Sequence, residues 1–384
     1  MEKTVEKKRG LAAIFALCPA AHVIAVLSAA LIGAFFAEKT NAPLMRKLSA
    51  ELIHPLHQRM AVLSAGLPFS LAELLYALVI GGTLVYIILE IIQLIRRGER
   101  LRRLYRLVLR LAALGLGVYA LFCLLWGVYY YGDDFVARSG LEMEEISGDD
   151  LELVTLYFAA RVNELTPQVP RDAEGLCRTD RASVLRRSPT IYRQAEEKFP
   201  CLAGPEIPAK GMFFSRIMSI IDFTGFFCPF TAEANVNMDF PEGLFAATVA
   251  HELSHQRGVA KEQEANFTAV LASLESGDPD YDYSACLMAY IHLSNALAPV
   301  RPEASKLIAG GLAPDAMRDI AANNAYWRQF ESPVQTVTDA VYEGFLQSYD
   351  QELGMRSYGA CVDLLVNFYR DEAASYFGLM SSAN

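Results

Sequence analysis

The sequence predicts a mainly α fold: three N-terminal transmembrane helices followed by a mostly helical outer domain with a small β element. Three observations support this fold class. Long stretches without charge lie in the first third of the chain, basic residues cluster beside them, and the rest is acidic and largely helical in its apolar spacing. We place the boundary at residue 132, with a membrane domain at 1–132 and an outer domain at 133–384.

Each of the three apolar stretches is long enough to cross a bilayer. Leu11–Ala37 and Leu111–Gly132 have no charged side chain, and Leu74–Ile95 is interrupted only by Glu90. A helix of about 20 apolar residues spans the hydrocarbon core, which is roughly 30 Å thick. The predicted spans cover about residues 11–37, 70–95 and 108–132.

Basic residues predict the orientation of these spans. Lys and Arg cluster before the first span and again between the second and third, and such residues collect in cytoplasmic loops. The N-terminus is then cytoplasmic and residues 133–384 are extracytoplasmic. The first apolar run is longer than a signal-peptide core of about 7–15 residues, so we interpret it as a retained span of a multi-pass cell-membrane protein.

The charge distribution divides the chain in the same way. Residues 1–110 contain 15 Lys and Arg against 7 Asp and Glu, whereas residues 111–384 contain 19 against 37. The acidic excess would repel a phosphate backbone, so we expect a lipid bilayer and no nucleic acid among the partners. The outer domain has five cysteines, among which Cys177 and Cys201 form a disulfide in an oxidising compartment or remain thiols in a reducing one.

Most of the outer domain has helical periodicity. The predicted helices are Asp149–Leu165, Ser188–Phe199, Glu262–Ser276, Ser284–Leu297, Pro314–Tyr326, Val334–Leu353 and Tyr358–Phe377. The aromatic segment 212–230 is predicted to pack in the core, with packing against the bilayer or in a groove as the alternative. Thr231–Met238 is predicted to be an edge strand, to which a peptide could add by β-augmentation.

A zinc-binding pattern lies in the middle of the outer domain. His251 to His255 reads HELSH, the HExxH pattern of zinc-dependent hydrolases. We predict a helix that is capped by Asp239 and ends at Gly258. Residues four apart share a helix face, so both imidazoles can bind one ion, while Glu252 can act as general base toward a zinc-activated water.

Two carboxylates compete for the third position on the metal, Glu262 and Glu264. The stretch from Glu262 to Asn266 resembles the gluzincin arrangement of thermolysin-like and prenyl-protein endopeptidases, in which a Glu ligand is followed four residues later by an Asp. The resemblance implies a zincin-like domain with Glu262 as ligand and Asn266 as support for a ligand histidine. The HExxHxxG start also resembles the metzincins, but their ligand position is occupied here by Lys261.

The layout as a whole resembles a bacterial family of membrane proteins defined by domain of unknown function 3810. The resemblance rests on the N-terminal spans, on FFSRIMS and GFFCPFTAEANVNMDFP, on the core HELSHQRGVAKEQEANF, and on SYGACVDLLVNFYR near the C-terminus. It implies a zinc peptidase-like protein, because the family shares the same motif.

These features predict a membrane-anchored zinc metallopeptidase, a hydrolase that cleaves protein or peptide substrates near the membrane. Zn²⁺ would be bound by His251, His255 and Glu262, with Glu252 as general base and Tyr358 as the candidate that stabilises the oxyanion. Two alternatives remain open: a non-catalytic zinc-binding receptor or scaffold, and a zinc hydrolase of a non-peptide envelope amide.

Overall fold

The structure is a computed structural model that describes residues 12–96, 98–348 and 358–378. Its contacts divide the chain into two units. We call Met1–Ile53 with Ala72–Gly132 the apolar unit, and His54–Leu71 with Asp133–Asn384 the site unit. Residue 132 is again a boundary, but His54–Leu71 packs with the site unit rather than with the membrane part to which the sequence analysis assigns it.

The named α-helices in the described first part of the chain are α1 (Pro19–Glu38), α2 (Ala42–Lys47), α3 (His54–Ala65), α4 (Leu71–Arg96) and α5 (Arg100–Leu125). A π-helical turn at Leu48–Ile53 links α2 to α3, and α1 packs against α5. In the described part of the chain, α1, α4 and α5 are long and apolar enough to cross a membrane. The prediction of three apolar helices near the N-terminus is therefore confirmed.

The apolar helices differ at their ends from the apolar stretches of the sequence. Residues 12–15 are already helical, but α1 begins only at Pro19, because Cys18 has a non-helical backbone (φ −159°, ψ 68°), as is favoured before proline. Helix α5 begins at Arg100, inside the basic cluster, and ends at Leu125. The aromatic residues that follow form a short 3₁₀ helix, Gly127–Tyr131, instead of continuing the span.

The site unit adds twelve named α-helices, numbered in chain order. They are α6 (Phe135–Ser139), α7 (Gly148–Leu165), α8 (Arg181–Arg187), α9 (Arg193–Lys198), α10 (Ser215–Ile220), α11 (Phe245–Gln256), α12 (Glu262–Ser276), α13 (Pro279–Val300), α14 (Pro302–Gly310), α15 (Pro314–Arg328), α16 (Pro333–Ser348) and α17 (Tyr358–Tyr376). Short 3₁₀ turns separate several of them. The mainly helical class of this part is confirmed.

Helix bounds agree with the prediction where the apolar periodicity is strong. Helix α12 has the predicted ends, whereas the predicted helix Ser188–Phe199 is divided into the 3₁₀ turn Ser188–Thr190 and the short α9. Ser188 does not act as an N-cap there, because its hydroxyl donates to the Leu185 carbonyl and accepts from the Ala209 amide. Helix α14 was not predicted, since its start at Pro302 follows Pro299 so closely that the segment resembles a loop.

A small sheet of three strands lies beside α11. The strands are β1 (Lys210–Gly211), β2 (Gly225–Cys228) and β3 (Glu233–Val236), in the order β1-β3-β2, with β1 parallel and β2 antiparallel to β3. The predicted edge strand at 231–238 was wrong, because β3 is the central strand and all its residues are buried. Strands β1 and β2 flank β3 on its two sides and its residues are buried, so β3 is not an open edge for β-augmentation.

The core of the site unit surrounds α11. Helices α12 and α13 and strands β2 and β3 all pack against it, so that α11 is buried along nearly its whole length. The aromatic segment 212–230 is split between core and surface: Phe227 is buried, whereas Phe213 and Phe214 are exposed. No disulfide joins Cys177 to Cys201, and the Cys177 thiol contacts the Thr179 hydroxyl instead.

Candidate metal centre

The two helices that contain the candidate ligands form a tight hairpin. Helix α11 ends at Gln256, and Gly258 adopts a left-handed conformation (φ 77°) that glycine tolerates without steric cost. The amides of Gly258 and Val259 donate to carbonyls of the last helical turn, and α12 begins at Glu262. The hairpin therefore returns the chain to the His251 face of α11 within a few residues.

The predicted cap of the first helix is different in the structure. A 3₁₀ turn at Glu242–Leu244 precedes α11, which begins at Phe245 without a side-chain cap. The Asp239 carboxylate instead accepts hydrogen bonds from Arg216 and from the Tyr326 hydroxyl. The expectation that Asp239 caps the helix was therefore wrong, because these two more distant side chains occupy its carboxylate.

Three side chains converge in the described part of the chain: His251, His255 and Glu262, whose potential ligand atoms all lie within 4.8 Å of one another. The two Nε2 atoms are 3.1 Å apart. Glu262 Oε2 lies 3.1 Å from His251 Nε2 and 3.7 Å from His255 Nε2. The structure thus brings together the ligand set that the sequence analysis favours.

The outer nitrogens of both imidazoles are held by oxygen acceptors. His251 Nδ1 lies 2.8 Å from Asn266 Oδ1, and His255 Nδ1 lies 2.7 Å from the Val259 carbonyl oxygen. A backbone carbonyl can only accept, so Nδ1 of His255 is the donor, and the same assignment suits His251. In neutral imidazoles both Nε2 lone pairs then face the cluster, as metal-binding histidines require.

The spacing of these atoms suits a small tetrahedral cation. With zinc-to-ligand distances near 2.0–2.1 Å, two ligand atoms at a tetrahedral angle are about 3.3 Å apart. The three measured separations of 3.1, 3.1 and 3.7 Å bracket this value. Two lone pairs and a carboxylate this close would repel one another unless a proton or a metal ion lay between them, so the donor set fits a divalent cation.

The electrostatics of the cluster favour positive charge. Burial disfavours an imidazolium at His255, but the Glu262 carboxylate outweighs burial and raises the pKa of His255 to about 9. For Glu262, burial is again the opposing effect, and the two imidazoles hold the pKa of its carboxyl group well below the usual range. A proton and a metal ion would satisfy the same demand for a cation.

Glu252 places a second carboxylate beside the cluster. Its side chain is only 3% exposed, and among the described residues its Oε2 atom has no hydrogen-bond partner. Burial raises the pKa of Glu252 to about 7, although the imidazoles of His251 and His255 lower it in part. A buried carboxylate oxygen without a partner is costly in a purely structural role, so Oε2 of Glu252 suits an interaction with a water molecule or a substrate.

Strand β2 closes over Glu252 at Gly225. A methyl group built on Gly225 would lie 2.4 Å from Glu252 Oε1, which is closer than real contacts allow. Only glycine leaves room for the carboxylate at this position of the strand. The sequence analysis missed Gly225, because the contact joins two segments whose proximity depends on tertiary packing.

Glu264, the alternative third ligand, points away from the cluster. Its carboxylate is buried and accepts hydrogen bonds from the backbone amides of Phe135 at 2.9 Å and Val136 at 3.3 Å. It thereby stabilises the first turn of α6. Two residues along α12 correspond to a rotation of about 200°, so Glu262 and Glu264 lie on opposite faces of the helix.

Two residues are candidates for stabilising an oxyanion, Tyr358 and His292. Tyr358 begins α17, but its side chain lies outside the part of the structure that is described. His292 on α13 is half-buried. Burial is the main cause that lowers the pKa of His292 to about 4, and the charge of nearby His251 contributes. The side chain of His292 therefore lies near His251 but is not part of the cluster of His251, His255 and Glu262.

A polar network behind the site joins the two helices of the hairpin. The Tyr192 hydroxyl donates to the Ala250 carbonyl at 2.9 Å and contacts the Ser254 hydroxyl, which also accepts from Thr268. Arg257, in the turn, is buried with its guanidinium 4.2 Å from the centre of the Tyr192 ring. No local sequence signal identified Tyr192 or Arg257 as support for the site.

Residues 49–366 match the protein family described as a protein of unknown function (DUF3810). The chain belongs to this family. The DUF3810 match includes the whole metal cluster together with α4 and α5, but the first apolar helix, α1, lies before it. The expected resemblance is thus confirmed except for that helix. No curated protein and no solved structure matches the chain.

Proposed function

We propose that this protein is a membrane-anchored, zinc-dependent metallopeptidase. The observation that carries the proposal is the convergence of His251, His255 and Glu262 with the buried Glu252 carboxylate beside them. Two imidazoles and one carboxylate form the donor set of hydrolytic zinc sites, in which a fourth coordination position stays open and a neighbouring acid acts as general base. The oriented Nδ1 atoms of both histidines give further support.

Zinc held by these three residues would lower the pKa of a water molecule and polarise the carbonyl of the scissile peptide bond. Glu252 takes one proton from the attacking water as its oxygen adds to the carbonyl carbon. The same carboxyl group then delivers that proton to the departing amide nitrogen, so that the elements of water are added across the C–N bond. The lack of another partner for Oε2 leaves Glu252 available for this transfer.

The oxyanion that forms in this reaction needs a donor. Tyr358 and His292 are the two candidates, and either a hydroxyl or an imidazole N–H can fill the role. His292 has the support of its proximity to His251. We do not choose between the two residues. Each is replaced by Phe in turn, and the substitution that lowers turnover while the metal is retained identifies the donor.

The membrane arrangement is part of the proposal. The three apolar helices suit a multi-pass protein, and the basic clusters favour a cytoplasmic N-terminus. With this orientation the zincin-like site unit is extracytoplasmic, and its substrates are proteins or peptides close to the outer face of the cell membrane. Strand β2 lies next to Glu252, because Gly225 approaches the carboxylate of this residue.

The decisive experiment compares Glu252→Gln with the wild type as purified full-length chains. Zinc content is measured by elemental analysis, and cleavage is measured with a peptide library whose new termini are read by mass spectrometry. We expect the variant to retain stoichiometric zinc and to lose cleavage by at least about a thousandfold, because the proton transfer is removed. Glu197→Gln, which replaces an exposed Glu on α9, is the matched control and should leave both unchanged.

The outcome also separates the alternative functions. Stoichiometric zinc without any cleavage by the wild type, and with no effect of Glu252→Gln on cell phenotype, would favour the non-catalytic receptor or scaffold. Release of non-peptide fragments from envelope material, lost in the same variant, would identify a hydrolase of envelope amides. A wild-type protein that binds no zinc would contradict all three functions.

A further inference from the structure

The site unit exposes apolar side chains at the end of α3, in the turn that follows it, and in the segment that leads into and begins α10. Phe213 is 85% exposed and Leu63 is 81% exposed, and Phe69, Phe214 and Ile217 are each about half exposed. We call these five residues the apolar rim. A single exposed apolar side chain is ordinary, but a group of this size, aromatic in part, marks a surface that something covers.

Helix α10 buries two serines and exposes two isoleucines. Ser215 and Ser219 are buried, with the Ser215 hydroxyl donating to the Met212 carbonyl and the Ser219 hydroxyl contacting Tyr326. Its exposed positions are Arg216, Ile217 and Ile220, while Met218 is buried with the serines. The two exposed isoleucines lie shortly after Phe213 and Phe214 in the chain and extend the apolar surface that these residues begin.

Lys210 connects the two halves of the apolar rim. Its buried ammonium group donates to the carbonyls of Ser64 at 2.6 Å and Phe69 at 3.0 Å, and forms an ion pair with Glu233 at 2.7 Å. Phe213 follows Lys210 by three residues, so their Cα atoms are at most about 10 Å apart. The end of α3 with Leu63 and the turn with Phe69 therefore lie near the segment that leads into α10.

The same contacts fix where α4 leaves the site unit. The Leu71 amide donates to Glu233 Oε1 at 3.1 Å, and the Ser70 hydroxyl donates to Asn235 Oδ1 at 2.6 Å. Leu71 is the first residue of α4, which has 26 residues, so no linker separates these contacts from the helix. The start of a candidate membrane helix is thus held by the central strand of the sheet.

Helix length limits how far the bilayer can be from this point. At 1.5 Å per residue, α4 is about 39 Å long, against a hydrocarbon core of roughly 30 Å. The hydrocarbon therefore begins within about 9 Å of Leu71 even if all the excess length lies at that end, and the headgroup layer of several Å extends further toward it. A surface close to Leu71 is consequently within reach of lipid.

We propose that the apolar rim, Leu63, Phe69, Phe213, Phe214 and Ile217, is a lipid-docking surface on which the site unit contacts the membrane. Aromatic and aliphatic side chains of this kind bury themselves at the boundary between headgroups and acyl chains. The proposal depends on the apolar helices spanning a bilayer and is independent of the metal. Its consequence is that the site unit contacts the membrane directly, in addition to its connection through α4.

The test is photocrosslinking of the full-length chain in vesicles of phosphatidylethanolamine and phosphatidylglycerol. Benzoylphenylalanine is introduced in place of Phe213, in place of Ile217, or in place of Leu307 as the control. Leu307 lies on α14 of the same unit and is 79% exposed, so it matches the exposure of the tested positions. The adducts are identified by mass spectrometry after irradiation.

We expect lipid adducts at positions 213 and 217 to exceed those at position 307 by at least about fivefold, since only the first two would be immersed. Lipid adducts no more frequent than at position 307 would overturn the proposal. Adducts to a second copy of the chain in place of lipid would also overturn it and would assign the surface to an oligomer. An unchanged melting temperature shows that each variant is folded, and because these positions are exposed, at least one should pass this test.

Discussion

At the scale of single residues, Asn266 fixes the orientation of the His251 imidazole. Its amide oxygen lies 2.8 Å from His251 Nδ1 and provides a neutral partner for that nitrogen. We predict that Asn266→Ala weakens the proposed zinc binding by about 10–100-fold, because the imidazole loses its fixed orientation. Competition with a chromophoric chelator measures the affinity, and Asn266→Asp should restore it.

Gln263→Ala is the matched control for that change, because Gln263 lies on the same helix, is half-buried, and is absent from the metal cluster. Equal zinc affinities of Asn266→Ala and Gln263→Ala would contradict the role of Asn266.

Gly225 determines the space available to the proposed general base. We predict that Gly225→Ala reduces cleavage by about tenfold or more while zinc content is retained, because the added methyl group displaces the Glu252 carboxylate or β2. Steady-state kinetics and elemental analysis on the same preparation measure the two effects. Gly344→Ala, at a helical position where the added methyl meets nothing within 4 Å, should leave both unchanged.

Which of the two carboxylates lies beside the histidines could be predicted from the sequence, because it depends on local helical geometry. Glu262 and Asn266 are four residues apart and share a face of α12, whereas Glu264 lies on the opposite face. The partner of Glu264 could not be predicted, since the amides of Phe135 and Val136 come from a remote part of the chain. The room that Gly225 provides is equally non-local.

At the scale of secondary-structure elements, the turn between α11 and α12 depends on a buried cation. Arg257 lies in this turn and pairs with Glu196 of α9 at 3.2 Å, with its guanidinium stacked on Tyr192. We predict that Arg257→Ala lowers the free energy of unfolding by about 3 kcal/mol, because it breaks a buried pair and leaves a cavity. Chemical denaturation in detergent provides the measurement.

Arg193→Ala removes an ion pair of the same type from the surface of α9, where Arg193 and Glu206 are both exposed. Its expected cost is below about 1 kcal/mol. If both substitutions destabilise the protein equally, burial of Arg257 does not contribute as proposed.

Helices were predictable where their own apolar period specifies the buried face, as in α12. Strand β3 was predictable as an extended segment but not as the central strand, because its place depends on the positions of β1 and β2. Sequence pattern identifies a strand, while the pairing of strands is a property of the assembled sheet.

At the scale of the whole molecule, the proposed metal links binding to stability. A ligand at a thousand times its dissociation constant stabilises the folded state by about 4 kcal/mol, equivalent to roughly 10 °C in the melting temperature of a domain of this size. We therefore predict that chelation lowers the melting temperature of the wild type by this order. Differential scanning calorimetry of the full chain measures the change.

Glu262→Gln removes one ligand and should melt at the same temperature with and without chelator. Glu264→Gln should keep the response to chelator even though the cap on α6 is weakened. A response in the first variant that matches the wild type would exclude Glu262 as a ligand.

The two-part organisation followed from composition, because uncharged runs and the charge reversal near residue 110 are properties of sequence alone. The assignment of His54–Leu71 to the site unit did not follow, since it depends on Lys210, Glu233 and Asn235, which lie far along the chain. Packing between distant segments leaves little trace in either segment considered separately.

The short hairpin between α11 and α12 has a consequence for the order of folding. The three proposed ligands, the Asn266 amide and the Val259 carbonyl all belong to residues 251–266. Closing such a short loop costs little chain entropy, and contacts local in sequence form quickly. We expect that the hairpin can assemble and capture its metal before the C-terminal helices are in place, so the metal would be available to nucleate the core that later surrounds it.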